Sequence, residues 1–93
     1  MTVKFFAYLR DPGFAGCKEL ELPAPATVLE LGRVLSDRFG SKFRDEFFTP
    51  DGRQLGERII VMVNGRRVDF LNGIDTGLKE SDTVQVFPVV AGG

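Results

Sequence analysis

The sequence predicts an α+β fold: a mixed β-sheet with one main helix packed across it. Three observations carry this. The chain begins with two segments of alternating hydrophobicity, its apolar period changes to that of a helix in the middle, and it closes on a valine-rich strand.

"VKFFAYLR" places Val3, Phe5, Ala7 and Leu9 on one face and Lys4, Phe6, Tyr8 and Arg10 on the other. "DPGFAG" supplies turn chemistry, because Pro12 presets φ and Gly13 tolerates positive φ. "CKELELP" alternates again, with Leu20 and Leu22 in and Glu19 and Glu21 out, so the two segments form a hairpin. Thr27 then caps a helix to about Phe39, with Glu30 completing a capping box. Val28, Leu31, Leu35 and Phe39 share one helical face, and Gly40 suits the position past the end. "SKFRDEFF" reads as a second short helical stretch, with Phe43 and Phe47 one turn apart, and "TPDGRQLGE" as turn and loop. "RIIVMVNG" is a strand whose continuous apolar run predicts cover on both faces or nearly so. Asn64-Gly65 is a hairpin turn, "RRVDF" its short partner strand, and "LNGIDTGLKESD" is irregular. In "TVQVFPVV" Val84 and Val86 face one way and Gln85 and Phe87 the other. The order β-β-α-β-β-β, with the apolar first and last strands side by side at the centre, is the β-grasp roll. One domain over residues 1–93 is expected, with a flexible tail at 90–93.

Composition excludes several functions. With 12 basic and 13 acidic residues the net charge is −1, so no basic field is available for nucleic acid. The apolar runs are too short for a membrane span, and the start lacks a signal-peptide pattern; the cytoplasm is the expected location. There is no His, and Cys17 is the one Cys. A His/Cys metal site and a His-activated nucleophile are therefore excluded, and Cys17 has no base in its local sequence. No Gly-rich phosphate loop is visible. The Gly65–Arg67 tip is basic; such tips are ordinarily solvated turns, and Arg67 is a candidate partner contact. Side chains offer no catalytic site.

One group capable of chemistry remains, the α-carboxylate of Gly93. Ionised, it is a poor electrophile. ATP in a partner's site would convert it to an acyl-adenylate, and a sulfur nucleophile would convert that to a thiocarboxylate. Ala91, Gly92 and Gly93 keep the tail thin enough for a narrow channel, and Pro88 helps end the ladder. Phe6, Tyr8 and Phe87, on the face away from the helix and beside the tail, are candidate interface anchors with Pro88.

"VKFFAYLRD", "VMVNG" and "LKESDTVQVFPVVAGG", with the strand order, resemble the MoaD/ThiS family of ubiquitin-like sulfur carriers over nearly the whole chain. The most specific part is the ending: Leu78, a turn to Asp82, the strand with Phe87-Pro88, then Gly92-Gly93. The resemblance implies a non-catalytic carrier with no bound cofactor. It implies activation by a ubiquitin-activating-like adenylyltransferase using ATP, a sulfur donor protein, and an acceptor enzyme that takes sulfur from Gly93. "FFAYLRD" is similar to the small subunit of molybdopterin synthase, which makes molybdenum cofactor biosynthesis the first expected pathway and its large subunit the acceptor; the apolar contact positions there match Phe6 and Phe87. Three features depart from that subunit: Arg67 at an often apolar position, Pro88-Val89 in place of a double proline, and a longer "VDFLNGIDTGL". That segment looks more like the carrier feeding a cysteine synthase and like archaeal ubiquitin-like modifiers, which join lysines through isopeptide bonds. Thiamine-pathway carriers are the third alternative, being typically shorter across Gly40 to Glu57.

Overall fold

The computed structural model describes residues 1–5 and 19–88. The expected strand beyond Phe5, the turn after it, Cys17 and the tail past Pro88 lie outside these residues. Strand β1 (Thr2–Phe5) pairs antiparallel with β2 (Glu19–Glu21), Val3 opposite Leu20. The alternation holds: Val3 and Phe5 are buried, Leu20 is half-buried against the core, and Glu19 and Glu21 face solvent.

Helix α1 (Val28–Phe39) starts where expected, with Thr27 Oγ1 accepting the Glu30 N–H at 3.3 Å. The reciprocal half of the box is replaced: the Glu30 carboxylate turns outward and takes Arg33 Nη1 at 3.0 Å. A cap is worth about 1 kcal/mol. Val28, Leu31 and Leu35, all at 0% exposure, contribute roughly 1.5–3 kcal/mol each, so packing rather than the cap holds the helix. The Gly40 N–H closes the helix on Ser36 O at 2.8 Å, and α2 (Ser41–Phe47) follows at once. Phe43 and Phe47 are buried and stack at 5.3 Å between ring centroids. They sit in a chain of rings from Phe5 through Phe39, Phe43 and Phe47 to Phe48, which ties both helices to the sheet. In the following turn, Thr49 Oγ1 at 2.6 Å and the Arg53 N–H at 3.0 Å donate to Asp51 Oδ1 and hold its carboxyl below the ordinary carboxylate range.

Strand β3 (Ile59–Val63) turns through Asn64 and Gly65, at φ 52° and 82°, into β4 (Arg66–Arg67). Two positive φ values in a row are what a two-residue hairpin of this hand requires, and Asn-Gly meets them. Two expectations are corrected here. The partner strand is only two residues long; Val68–Phe70 forms a 3-10 turn because Val68 dives into the core at 0% exposure and the chain leaves the ladder. And β3 is covered on one side rather than both: Ile59, Val61 and Val63 are buried under the helices, whereas Ile60 and Met62 are half-buried on the other face.

Strand β5 (Thr83–Pro88) lies between β1, to which it is parallel, and β3, to which it is antiparallel. The five-stranded sheet runs β2-β1-β5-β3-β4, the β-grasp roll with its first and last strands central. Val84 and Val86 are fully buried against α1, as their alternation predicts.

Two substitutions probe this core. Leu35→Ala should cost roughly 2–5 kcal/mol in denaturant unfolding, the range for a buried large-to-small change. Gly32→Ala gains about 1 kcal/mol in helix propensity. Its Cβ, however, would sit 2.4 Å from both Phe47 and Phe48 ring carbons, and those rings are buried at 0% and 7%. Overpacking of about 1–3 kcal/mol should win, and Gly32→Ala should unfold at lower denaturant concentration.

Candidate functional site

The helix covers one face of the sheet, and the register decides what is left on the other. Lys4 stands beside Gln85 and Glu19, Gln85 beside Met62, and Met62 beside Arg67. One row therefore crosses all five strands, from a glutamate at the β2 edge to an arginine at the β4 edge. In the next row toward the end of β5, Phe87 pairs with Ile60. Phe87, Ile60 and Met62, each half-buried, form an apolar strip next to the point where the chain leaves the sheet.

Of the predicted site residues, the structure places Phe87 and Arg67 on this face, while Pro88 ends β5 opposite Ile59. Phe6, Tyr8, Ala91, Gly92 and Gly93 lie outside the described residues. Arg67 is not a bare solvated charge. Its Nη2 donates to Asp69 Oδ2 at 2.6 Å, and its guanidinium stands 5.7 Å from the Phe70 ring centroid. Ile60 and Met62 were missed as face residues. The signal was the unbroken "IIVMV", which fits a strand covered twice as well as one with an apolar outer strip.

The buried carboxylate of the region is structural. Asp82, 8% exposed, accepts Asn64 Nδ2 and the Lys79 N–H, both at 2.8 Å, while Asn64 Oδ1 accepts the Thr83 N–H at 2.9 Å. Both Asp82 oxygens are occupied: Oδ1 holds Asn64 of the β3–β4 turn and Oδ2 holds the Lys79 N–H of the turn before β5. Among the described residues no group of three His, Cys, Asp or Glu side chains is placed to hold a metal ion. No helix among them is long and apolar enough to cross a membrane. An open, apolar depression of about 650 Å³ runs along residues 22–26 and Val34. It lies at the Met1 end of the sheet, because Leu22 bonds Met1 O, whereas β5 ends beside Ile59. It thus lies at the opposite end of the sheet from Pro88.

A β-grasp sheet with one face under a helix and an apolar strip beside a C-terminal strand defines a ubiquitin-like protein. The chain belongs to the ThiS family, whose model matches residues 3–93, and is thereby one of the small ubiquitin-like sulfur carriers and modifiers. It is 35% identical, over 86 residues, to an Archaeoglobus fulgidus protein named as a candidate sulfur carrier, covering 91% of this chain and 96% of that one. It is 34% identical over 96 residues to small archaeal modifier protein 3 of Haloferax volcanii, covering 100% of this chain and 98% of that protein. A chain in the crystal structure of the Amycolatopsis orientalis BexX/CysO complex matches with a TM-score of 0.79 at 28% identity, over 99% of this chain and 98% of that one.

The strip makes a measurable demand. Phe87→Ala should weaken binding to a partner that engages the tail by about fivefold or more, as truncating an aromatic anchor does. It should cost less stability than Leu35→Ala. Loss of folding with unaltered affinity per folded molecule would assign Phe87 to the core.

Proposed function

We propose that this chain carries sulfur on the carboxylate of Gly93 and that every chemical step on it occurs inside a partner's active site. The observation that carries this reading is the ThiS-family match running through residue 93, on a sheet whose last strand ends at Pro88. The five residues 89–93 can extend at most about 16–18 Å, a reach suited to threading a carboxylate into an enclosed site. A ubiquitin-activating-like enzyme would join the Gly93 carboxylate oxygen to the α-phosphorus of ATP and release pyrophosphate. A persulfide on a donor protein would then attack the acyl carbon and displace AMP, and a thiol would cleave the resulting acyl disulfide, leaving as a disulfide with the donor's sulfur and freeing a thiocarboxylate for the acceptor enzyme. The carrier itself supplies docking surface and a thin tail; the partners supply the catalytic groups.

For the acceptor, the likeness of the first strand to the molybdopterin synthase small subunit favours that enzyme's large subunit. The longer 68–78 segment and the likeness to a chain of the BexX/CysO complex favour a cysteine-synthase-like or other biosynthetic enzyme instead. A second reading has its own support: the relative named small archaeal modifier protein 3 favours transfer of the same adenylate to a lysine as an isopeptide. Intact-mass spectrometry of the protein from its own cell separates the two, one oxygen exchanged for sulfur in the first case and covalent adducts on other proteins in the second.

The tail is the direct test. Adding one alanine after Gly93, or deleting Gly93, displaces the carboxylate by about 3.3–3.6 Å. A misplacement of about 1 Å already costs on the order of a hundredfold. Both variants should fold and dock normally, yet lose ATP–pyrophosphate exchange and sulfur loading. Normal exchange and loading by the extended variant would overturn the carrier reading.

A further inference from the structure

Phe70 is 80% exposed, the extreme among the large apolar side chains described, and Leu71 beside it is 40% exposed. An exposed aromatic of this size on a small domain marks a contact rather than a core position. The backbone puts it there. Had β4 continued in its register past Arg67–Met62, Val68 would oppose Val61 and Phe70 would oppose Ile59, both on the buried face. The 3-10 turn Val68–Phe70 keeps Val68 in the core at 0% exposure and turns Phe70 out. The ring is not left loose. Arg67 stands over it at 5.7 Å, and Asp69 holds the Arg67 fork at 2.6 Å. Arg67, which stands over Phe70, in turn neighbours Met62 of the apolar strip. Charge describes the complement. Arg66, Arg67 and Asp69 sum to one excess positive charge, and Arg66 is exposed with no ion pair among the described residues.

We propose that Phe70, held by Arg67, is the anchor that selects the tail-activating enzyme: it inserts into an apolar pocket on that enzyme bounded by at least one carboxylate, which meets Arg66 and the outer side of Arg67. The proposal rests on the carrier reading above and names the surface that reading leaves open. Adenylation precedes every later step at Gly93, so the adenylating enzyme is the partner that such an anchor must satisfy first. Phe70 is an anchoring residue and Arg67 a positioning residue; neither touches the reacting atoms.

The experiment is ATP–pyrophosphate exchange catalysed by the E1-like adenylating enzyme of the same cell, with the full chain as variable substrate. Phe70→Ala should raise KM about tenfold, as truncating a buried interface aromatic does, with kcat unchanged because the tail is intact. Its thermal midpoint should equal that of the unsubstituted protein, since an 80% exposed ring holds no core. Phe70→Leu should recover part of the loss. Arg66→Glu should raise KM at low salt and flatten its dependence on salt, as a steering charge does. An unchanged KM for Phe70→Ala, alongside lost exchange in the variant extended after Gly93, would overturn the anchor and leave the carrier reading standing. A fall in kcat with KM unchanged would also overturn the anchor. No exchange with the unsubstituted chain would overturn both.

Discussion

The parallel pairing of the first and last strands is the constraint on which the rest of this structure depends. Thr2 through Phe5 run alongside Thr83 through Val86, and nearly the whole chain lies between them in sequence. Parallel neighbours cannot be joined by a tight turn; they need a crossover that passes over the sheet. Helix α1 makes that crossover, and the inward residues of the central pair, Val3, Phe5, Val84 and Val86, are the surface on which it lies. The same pairing sets where the chain exits. Because β5 is parallel to β1 and antiparallel to β3, it ends at Pro88 opposite Ile59, beside the apolar strip.

Energy is concentrated on the covered face. The ring chain from Phe5 to Phe48 spans the sheet, both helices and the start of the following loop. It draws α2, only seven residues long and too short to persist alone, onto α1. Backbone bonds close the remaining edges: the Gly56 N–H reaches Phe47 O at 2.8 Å, and the Val28 N–H reaches Thr76 O at 3.0 Å. The Asn64–Asp82 lock then fastens the β3–β4 turn to β5 from the opposite end. These contacts hold the strands in register, so the apolar strip and the end of β5 at Pro88 keep a defined relation.

The interior of the described domain is filled by its core. Core and chemistry would compete for the same few interior positions in 93 residues. Here the competition is avoided: the interior is given to stability, and the open face of the sheet carries the apolar strip of Ile60, Met62 and Phe87. The buried polar side chains among the described residues, Thr76 and Asp82, are satisfied by backbone and amide partners.

Most of the fold was legible in the sequence because its signals are local. Period-two alternation assigned Val3, Phe5, Leu20, Val84 and Val86 to the inner face, and the helical period assigned Val28, Leu31 and Leu35. Asn64-Gly65 announced its turn through backbone sterics alone. The charge balance and the missing histidines exclude whole classes of function by composition alone. Other features were decided only in three dimensions. Gly32 reads as an ordinary weak helix residue until Phe47 and Phe48 are found packed against it. "IIVMV" does not say which of its faces is covered, because cover depends on which elements lie across the strand. "RRVDF" alternates like a strand, yet the pull of the core on Val68 ends the ladder after two residues and leaves Phe70 outside. Local pattern specifies what each segment prefers; which preference prevails at an edge is set by contacts distant in sequence, and those exist only once the chain has folded.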